Sequence, residues 1–145
     1  MAHLYRVVLP TRDMEGDVAF YRDVLGREGE SIVPTRHYFA CAGTILALVD
    51  PSEHGRSFQP NPELVYFSVP DLDAVFERAT RAGAGPLLAD DVGWGIRTRP
   101  WGERSFYAID PSGNPICFVD ERTVFTGAKS RDTAADRRST GTGAA

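Results

Sequence analysis

The feature that most constrains this chain is that it repeats itself. Asp13 precedes a run in which Met14, Val18, Tyr21 and Leu25 recur at helical spacing before Gly26. Asp71 precedes Leu72, Val75, Phe76 and Ala79 before Gly83. An aspartate at a helix start accepts an orphan backbone N–H, and a glycine at its end adopts the left-handed cap. The two aspartates lie 58 residues apart and the two glycines 57, which marks an internal duplication. Each helix follows a β-prone run, Leu4-Tyr-Arg-Val-Val-Leu9 or Leu64-Val-Tyr-Phe-Ser-Val69. In the first copy, Ile32 and Val33 form a short strand, and His37–Ala42 and Ile45–Val49 make a hairpin around Gly43-Thr44. In the second, Ser105–Ile109 and Pro115–Val119 flank Asp110-Pro-Ser-Gly113, four residues suited to a type I turn.

Ala47-Leu-Val-Asp50 maps on Cys117-Phe-Val-Asp120 with an offset of 70, so the second copy carries about 12 extra residues between helix and hairpin. That insertion contains Gly93-Trp-Gly-Ile-Arg97 and Pro100-Trp-Gly-Glu-Arg104, with both tryptophans of the protein. The pattern predicts an α+β fold of tandem βαβββ modules. The first module spans residues 1–50, a Pro-rich linker 51–62, and the second module 63–127.

At 145 residues the chain makes one domain, or two halves sharing one core. No long apolar run and no basic leader is present, so neither a membrane span nor a secretory signal is expected. Cys41 and Cys117 are too few and too distant to read as a disulfide framework, and a cytoplasmic location is the default. The net charge of −4 is divided unevenly. Residues 128–145 carry Lys129, Arg131, Arg137 and Arg138 against Asp132 and Asp136, leaving the body at −6. An acidic body argues against nucleic acid as a partner. The tail, without large apolar residues, cannot contribute to a core and is expected to be disordered.

Phe20-Tyr-Arg-Asp-Val-Leu-Gly26 behind Asp13, and Phe106-Tyr-Ala-Ile-Asp-Pro-Ser-Gly-Asn114, resemble the signatures of the vicinal oxygen chelate superfamily. That group includes glyoxalase I, extradiol dioxygenases, and fosfomycin- and bleomycin-resistance proteins. The resemblance covers residues 4 to about 125 and is specific for the fold, not the activity. It implies two half-sheets curled around a cleft, often in a dimer that shares or swaps modules. It also implies four metal-ligand positions, on the first and last strand of each module, which fall here on Arg6, Ala47, Leu64 and Cys117. A divalent ion needs converging deprotonated donors. Arg6 only donates, Ala47 and Leu64 offer nothing, and Cys117 stands alone. No metal and no other cofactor is expected. His3 and His54 read as exposed loop residues, and His37 as a hydrogen-bonding residue at the cleft mouth.

Strand alternation turns residues with the parity of Cys117 toward the cleft and Ile116 and Phe118 toward the helices. The same rule points Arg6, Val8, Tyr38, Ala40, Ala47, Val49, Tyr66 and Ser68 inward. Trp94 and Trp101, beside flexible glycines, can stack on a flat ligand, or equally cover the sheet end or a dimer interface. Arg6, Arg97 or Arg104 can meet an anionic or carbonyl group; the plainer reading is surface pairing, including an Arg6 bridge to Glu103 or Asp120. Cys117 reads as a small filler, and Asp90-Asp91 and Asp120-Glu121 as solvated ends.

The reading is a metal-free binding protein, closest in character to bleomycin-resistance proteins, that sequesters a small flat aromatic antibiotic or metabolite. Its ligand residues are Arg6, Tyr38, Ala47, Leu64, Tyr66, Trp94, Trp101, Arg104 and Cys117, in a homodimer with the cleft at the interface. A second reading is a lyase, isomerase or dioxygenase of the superfamily, either metal-dependent or using Tyr38, Tyr66 or Glu103 as acid or base. A third is a scaffold whose cleft is filled by its own side chains.

Overall fold

A computed structural model of the protein describes residues 1–87 and 93–126. Asp90-Asp91 and the tail 128–145 lie outside the described residues. The chain runs β1 Arg6–Pro10, α1 Met14–Leu25, β2 Glu30–Val33, β3 Arg36–Cys41 and β4 Thr44–Val49. The second half runs β5 Val65–Val69, α2 Leu72–Arg81, β6 Arg97–Thr98, β7 Arg104–Ile109 and β8 Pro115–Asp120. Each half is a βαβββ unit, with sheet orders β1-β4-β3-β2 and β5-β8-β7-β6. In both, the first strand pairs parallel to the last and the remaining pairs are antiparallel. The third element of the second copy shrinks to the two residues of β6, inside the expected insertion.

The caps sit where the residues demand them. The Asp13 and Asp71 carboxylates accept from the Gly16 and Ala74 amides, and Gly26 takes the left-handed conformation at φ 68°. The Pro-rich segment is partly ordered: Pro51–His54 forms a 3-10 turn capped by Asp50, and Glu53 from it grips Arg36.

One core serves both halves. The helix-side faces of the two sheets and the inner faces of α1 and α2 join a single cluster containing Leu9, Phe20, Tyr21, Val24, Phe39, Leu48, Leu72, Phe106, Ile116 and Phe118. Tyr21 lies 6.3 Å from Phe39 of the first sheet and 6.5 Å from Phe67 of the second, so this one ring joins the modules. Its hydroxyl donates to Asp110 at 2.7 Å. The turn of the β7–β8 hairpin is therefore a buried clasp. Asp110, Ser112 and Asn114 are buried, Ser112 donates to Asp17 of α1, and the Asn114 amide donates to the Pro10 carbonyl at 2.8 Å. With both helix-side faces turned into the shared core, the opposite face of each sheet lies outside it.

Candidate functional site

The outer face of the first sheet is set by the register Val8↔Ala47↔Tyr38. Ala47 is fully buried at its floor. The Arg6 guanidinium lies 4.8 Å from the Tyr5 ring centre and 5.0 Å from that of Tyr38, and donates to the Tyr5 hydroxyl at 3.1 Å. Arg36 donates to the Tyr38 hydroxyl at 2.8 Å and to both oxygens of Glu53, which holds that carboxyl below its usual range. Arg6 is thus held on two rings with no carboxylate partner among the described residues, and no bridge to Glu103 or Asp120 forms.

The second sheet repeats the arrangement with different residues. The register Tyr66↔Cys117↔Tyr107 crosses three strands, and Tyr107 stands opposite Cys117 as Tyr38 stands opposite Ala47. The Arg99 guanidinium lies 4.4 Å from the Tyr107 ring centre. It is fixed there by donating to the Ser105 hydroxyl at 2.9 Å and carbonyl at 3.0 Å. Burial pushes the Cys117 thiol up to about 11, beyond what Ser105 and the nearby Arg99 charge offset, so it stays protonated at neutral pH. Tyr66 is 55% exposed, yet desolvation and then its neighbour Cys117 raise its hydroxyl above the ordinary value. Leu64 stands immediately before β5, half-buried and without a donor.

Three residues expected in or near the cleft lie elsewhere. Trp94 packs 5.4 Å from Phe76 of α2 and joins the edge of the core, so it covers the helix side. Arg104 shares parity with Phe106, not Tyr107, and is bound to Asp73 of α2 at 3.0 Å and Asp120 at 3.5 Å. Asp120 itself is buried, not a solvated end. It accepts from Arg122 at 2.7 Å, and Arg122 then Arg104 draw its carboxyl down to about 2. His37 also faces the helix side, against Phe39 at 5.0 Å, its Nε2 3.2 Å from the Glu28 carbonyl. Trp101 is exposed, and its indole N–H donates to Glu103 at 3.0 Å. Arg97 donates to the Ile96 carbonyl, His3 bonds the Gly43 carbonyl, and His54 pairs with Glu53.

The structure thus brings Arg6, Tyr38 and Ala47 together on one sheet, and Tyr66 and Cys117 together on the other. Sequence reasoning missed Tyr107 and Arg99. Alternation along β7 gives Tyr107 the cleft-side parity, so its signal was present. Arg99 carried none, because it reaches Tyr107 through a turn closed by Arg99 N–H to Glu103 C=O at 2.7 Å.

The family-implied metal does not fit these residues. Arg6 is a cation, Ala47 and Leu64 have no donor, and Cys117 holds its proton. No group of three or more His, Cys, Asp or Glu able to hold an ion occurs among the described residues. No described helix is long and apolar enough to cross a membrane.

Paired βαβββ units, each with an open outer face, define a class of fold. The chain belongs to the Glyoxalase/Bleomycin resistance protein/Dioxygenase superfamily, whose model matches residues 3–118. Its structure is similar to a glyoxalase/bleomycin resistance protein from Albidiferax ferrireducens, at 20% identity over 80% of this chain and 97% of that one, with a TM-score of 0.66. It is also similar to a glyoxalase-related enzyme from Fulvimarina pelagi (19% identity, 88% and 94% covered, TM-score 0.70). A lactoylglutathione lyase from Agrobacterium tumefaciens matches at 25% identity over 83% and 94%, with a TM-score of 0.63. No curated protein matches the sequence significantly.

Proposed function

We propose that the chain is a metal-free binding protein for a small, planar, anionic organic molecule, held on the outer faces of its sheets. The observation that carries this is the repeated pair of arginine over tyrosine, Arg6 on Tyr38 and Arg99 on Tyr107, neither arginine having a carboxylate partner among the described residues. Such a cation keeps donors for an incoming carboxylate or carbonyl, while exposed Tyr66 and Tyr5 supply flat surface for stacking. A second copy, laying its other sheet over either face, closes the cleft and brings the two pairs toward one ligand. Binding at that closed site sequesters a toxic or metabolic aromatic compound without chemistry. The test is a fluorescence-quenching titration with planar aromatic carboxylates. Saturable binding that Arg99→Ala weakens at least tenfold supports the reading; no binding, or binding indifferent to both Arg6→Ala and Arg99→Ala, overturns it.

One observation favours a second reading, an enzyme as in the glyoxalase branch. The Tyr66 hydroxyl is exposed on the outer face beside Cys117, where a phenol supplies a proton donor to a bound substrate. Turnover abolished by Tyr66→Phe with ligand affinity retained distinguishes this from sequestration.

A further inference from the structure

The duplication leaves an unequal pair of sites on the helix side. In one half, the five residues Asp110–Asn114 that join β7 to β8 settle between the end of β1 and α1. They are gripped by polar groups: Thr11 and Ser112 both donate to Asp17, Tyr21 donates to Asp110, and the Arg12 amide donates to the Ser112 hydroxyl. The other half has only Ala42 and Gly43 between β3 and β4. Both take positive φ, 49° and 100°, in a tight two-residue turn that stops short of α2.

Where the missing turn would sit there is a groove of about 710 Å³, walled by Cys41, Ala42 and Thr44, by β5 with the residues after it, and by α2, with the carboxylates of Asp71 and Glu121 also in its lining. At the offset of 58 that aligns the two caps, the gripping residues Thr11, Asp17 and Tyr21 correspond to Val69, Val75 and Ala79. The polar seat has become apolar, and Val69 and Val75 line the groove together with Val7 and Leu46. A polar turn cannot dock there without stranding its donors. The volume falls within the usual range for small-molecule pockets, roughly 300–1,000 Å³.

Two arginines border it. Arg78 is committed to the Asp23 and Val24 carbonyls at the end of α1. Arg27 has no hydrogen bond or ion pair among the described residues, and its charge reaches Cys41 across the groove wall. We propose that this groove, which shares Tyr66 with the outer face of the second sheet, is a further binding site for an aliphatic monocarboxylate whose chain lies on Val69 and Val75 and whose carboxylate meets Arg27.

The probe is sodium decanoate, titrated below its micellar range into methyl-labelled full-length protein and followed by NMR. Saturable shifts at the Val69 and Val75 methyls are expected, with those of Val8 on the outer face unmoved. Arg27→Gln should weaken decanoate about tenfold, as loss of a charge-assisted contact implies, and leave decanol binding unchanged. Ala74→Trp should block both ligands, and if that variant does not fold, the parent shift map and Arg27→Gln decide. No saturable shift at Val69 and Val75, shifts centred on Val8 instead, or equal loss of decanol in Arg27→Gln would each overturn the proposal. So would the same shifts arising from protein concentration alone, which would assign the groove to a second copy.

Discussion

At Arg104 the guanidinium is held between two carboxylates, Asp73 at 3.0 Å and Asp120 at 3.5 Å, and Asp120 is almost wholly buried. At Arg99, five residues earlier, it lies on a tyrosine ring with no carboxylate partner among the described residues. Arg104→Gln should therefore lower stability by about 1–2 kcal/mol in urea denaturation, because a buried anion loses part of its compensation. Ligand affinity should be unaffected, whereas Arg99→Gln should leave the midpoint nearly unchanged and weaken ligand. Two carboxylates respond oppositely to pH. Asp120 is depressed to about 2, so its contribution is present above the ordinary aspartate value of 3.8 and is lost as the pH falls from there through about 2. Asp17 is raised, chiefly by burial, and its Oδ1 has no hydrogen-bond partner. The folded state holds that proton more tightly than the unfolded chain, so this contribution is present below 3.8 and lost as pH rises through the folded value. Asp17→Asn should accordingly gain in Tm relative to the parent as pH is raised from 4 to 8, read by calorimetry. Residue identity alone gave no sign of this division among the arginines. Parity places Arg104 on the helix side, but its pairing needs α2 and β8 to be neighbours.

The elements are short, and their ends are chemically fixed. Asp13→Ala and Asp71→Ala should each cost about 1 kcal/mol, since each removes the acceptor for one orphan helix N–H. The β7–β8 turn is more consequential than its length suggests. Asn114 donates to the Pro10 carbonyl and to Asp110 and accepts from the Asn61 amide, tying both modules and the connecting segment at one buried side chain. Asn114→Ala should cost about 3 kcal/mol, from three hydrogen bonds at about 1 kcal/mol each, and should do so in a single cooperative unfolding transition. A biphasic transition would show that the modules unfold separately. Helices, caps and hairpins were legible because each depends on neighbouring residues in the chain: a capping aspartate, a 3.6-residue apolar period, a turn tetrad. The placement of Trp94 was not. Glycines on both sides suggested an indole free to meet a ligand, but contact with Phe76 draws it to the helix side.

At the scale of the molecule, one core shared by two sheets leaves both outer faces open, and a second copy is the proposed cover. Light scattering should give about twice the chain mass. Val8→Asp, a charge placed on the outer face beside Ala47, should shift the protein toward monomer while leaving the far-UV spectrum intact. Dialysis against chelator should change neither Tm nor ligand affinity, and elemental analysis should find no stoichiometric divalent ion. The sequence by itself determined the duplicated βαβββ order, the helix caps and the presence of a turn at Asp110–Gly113. All follow from local propensity and from a repeat that can be aligned on itself. Tertiary structure alone decided that the β7–β8 turn is buried against α1, that Arg99 rather than Arg104 lies on the outer face, and that the matching seat on α2 is an apolar groove. Those outcomes depend on which surfaces meet between elements that are not neighbours in the chain, and such side-chain pairing leaves no periodic trace in the order of residues.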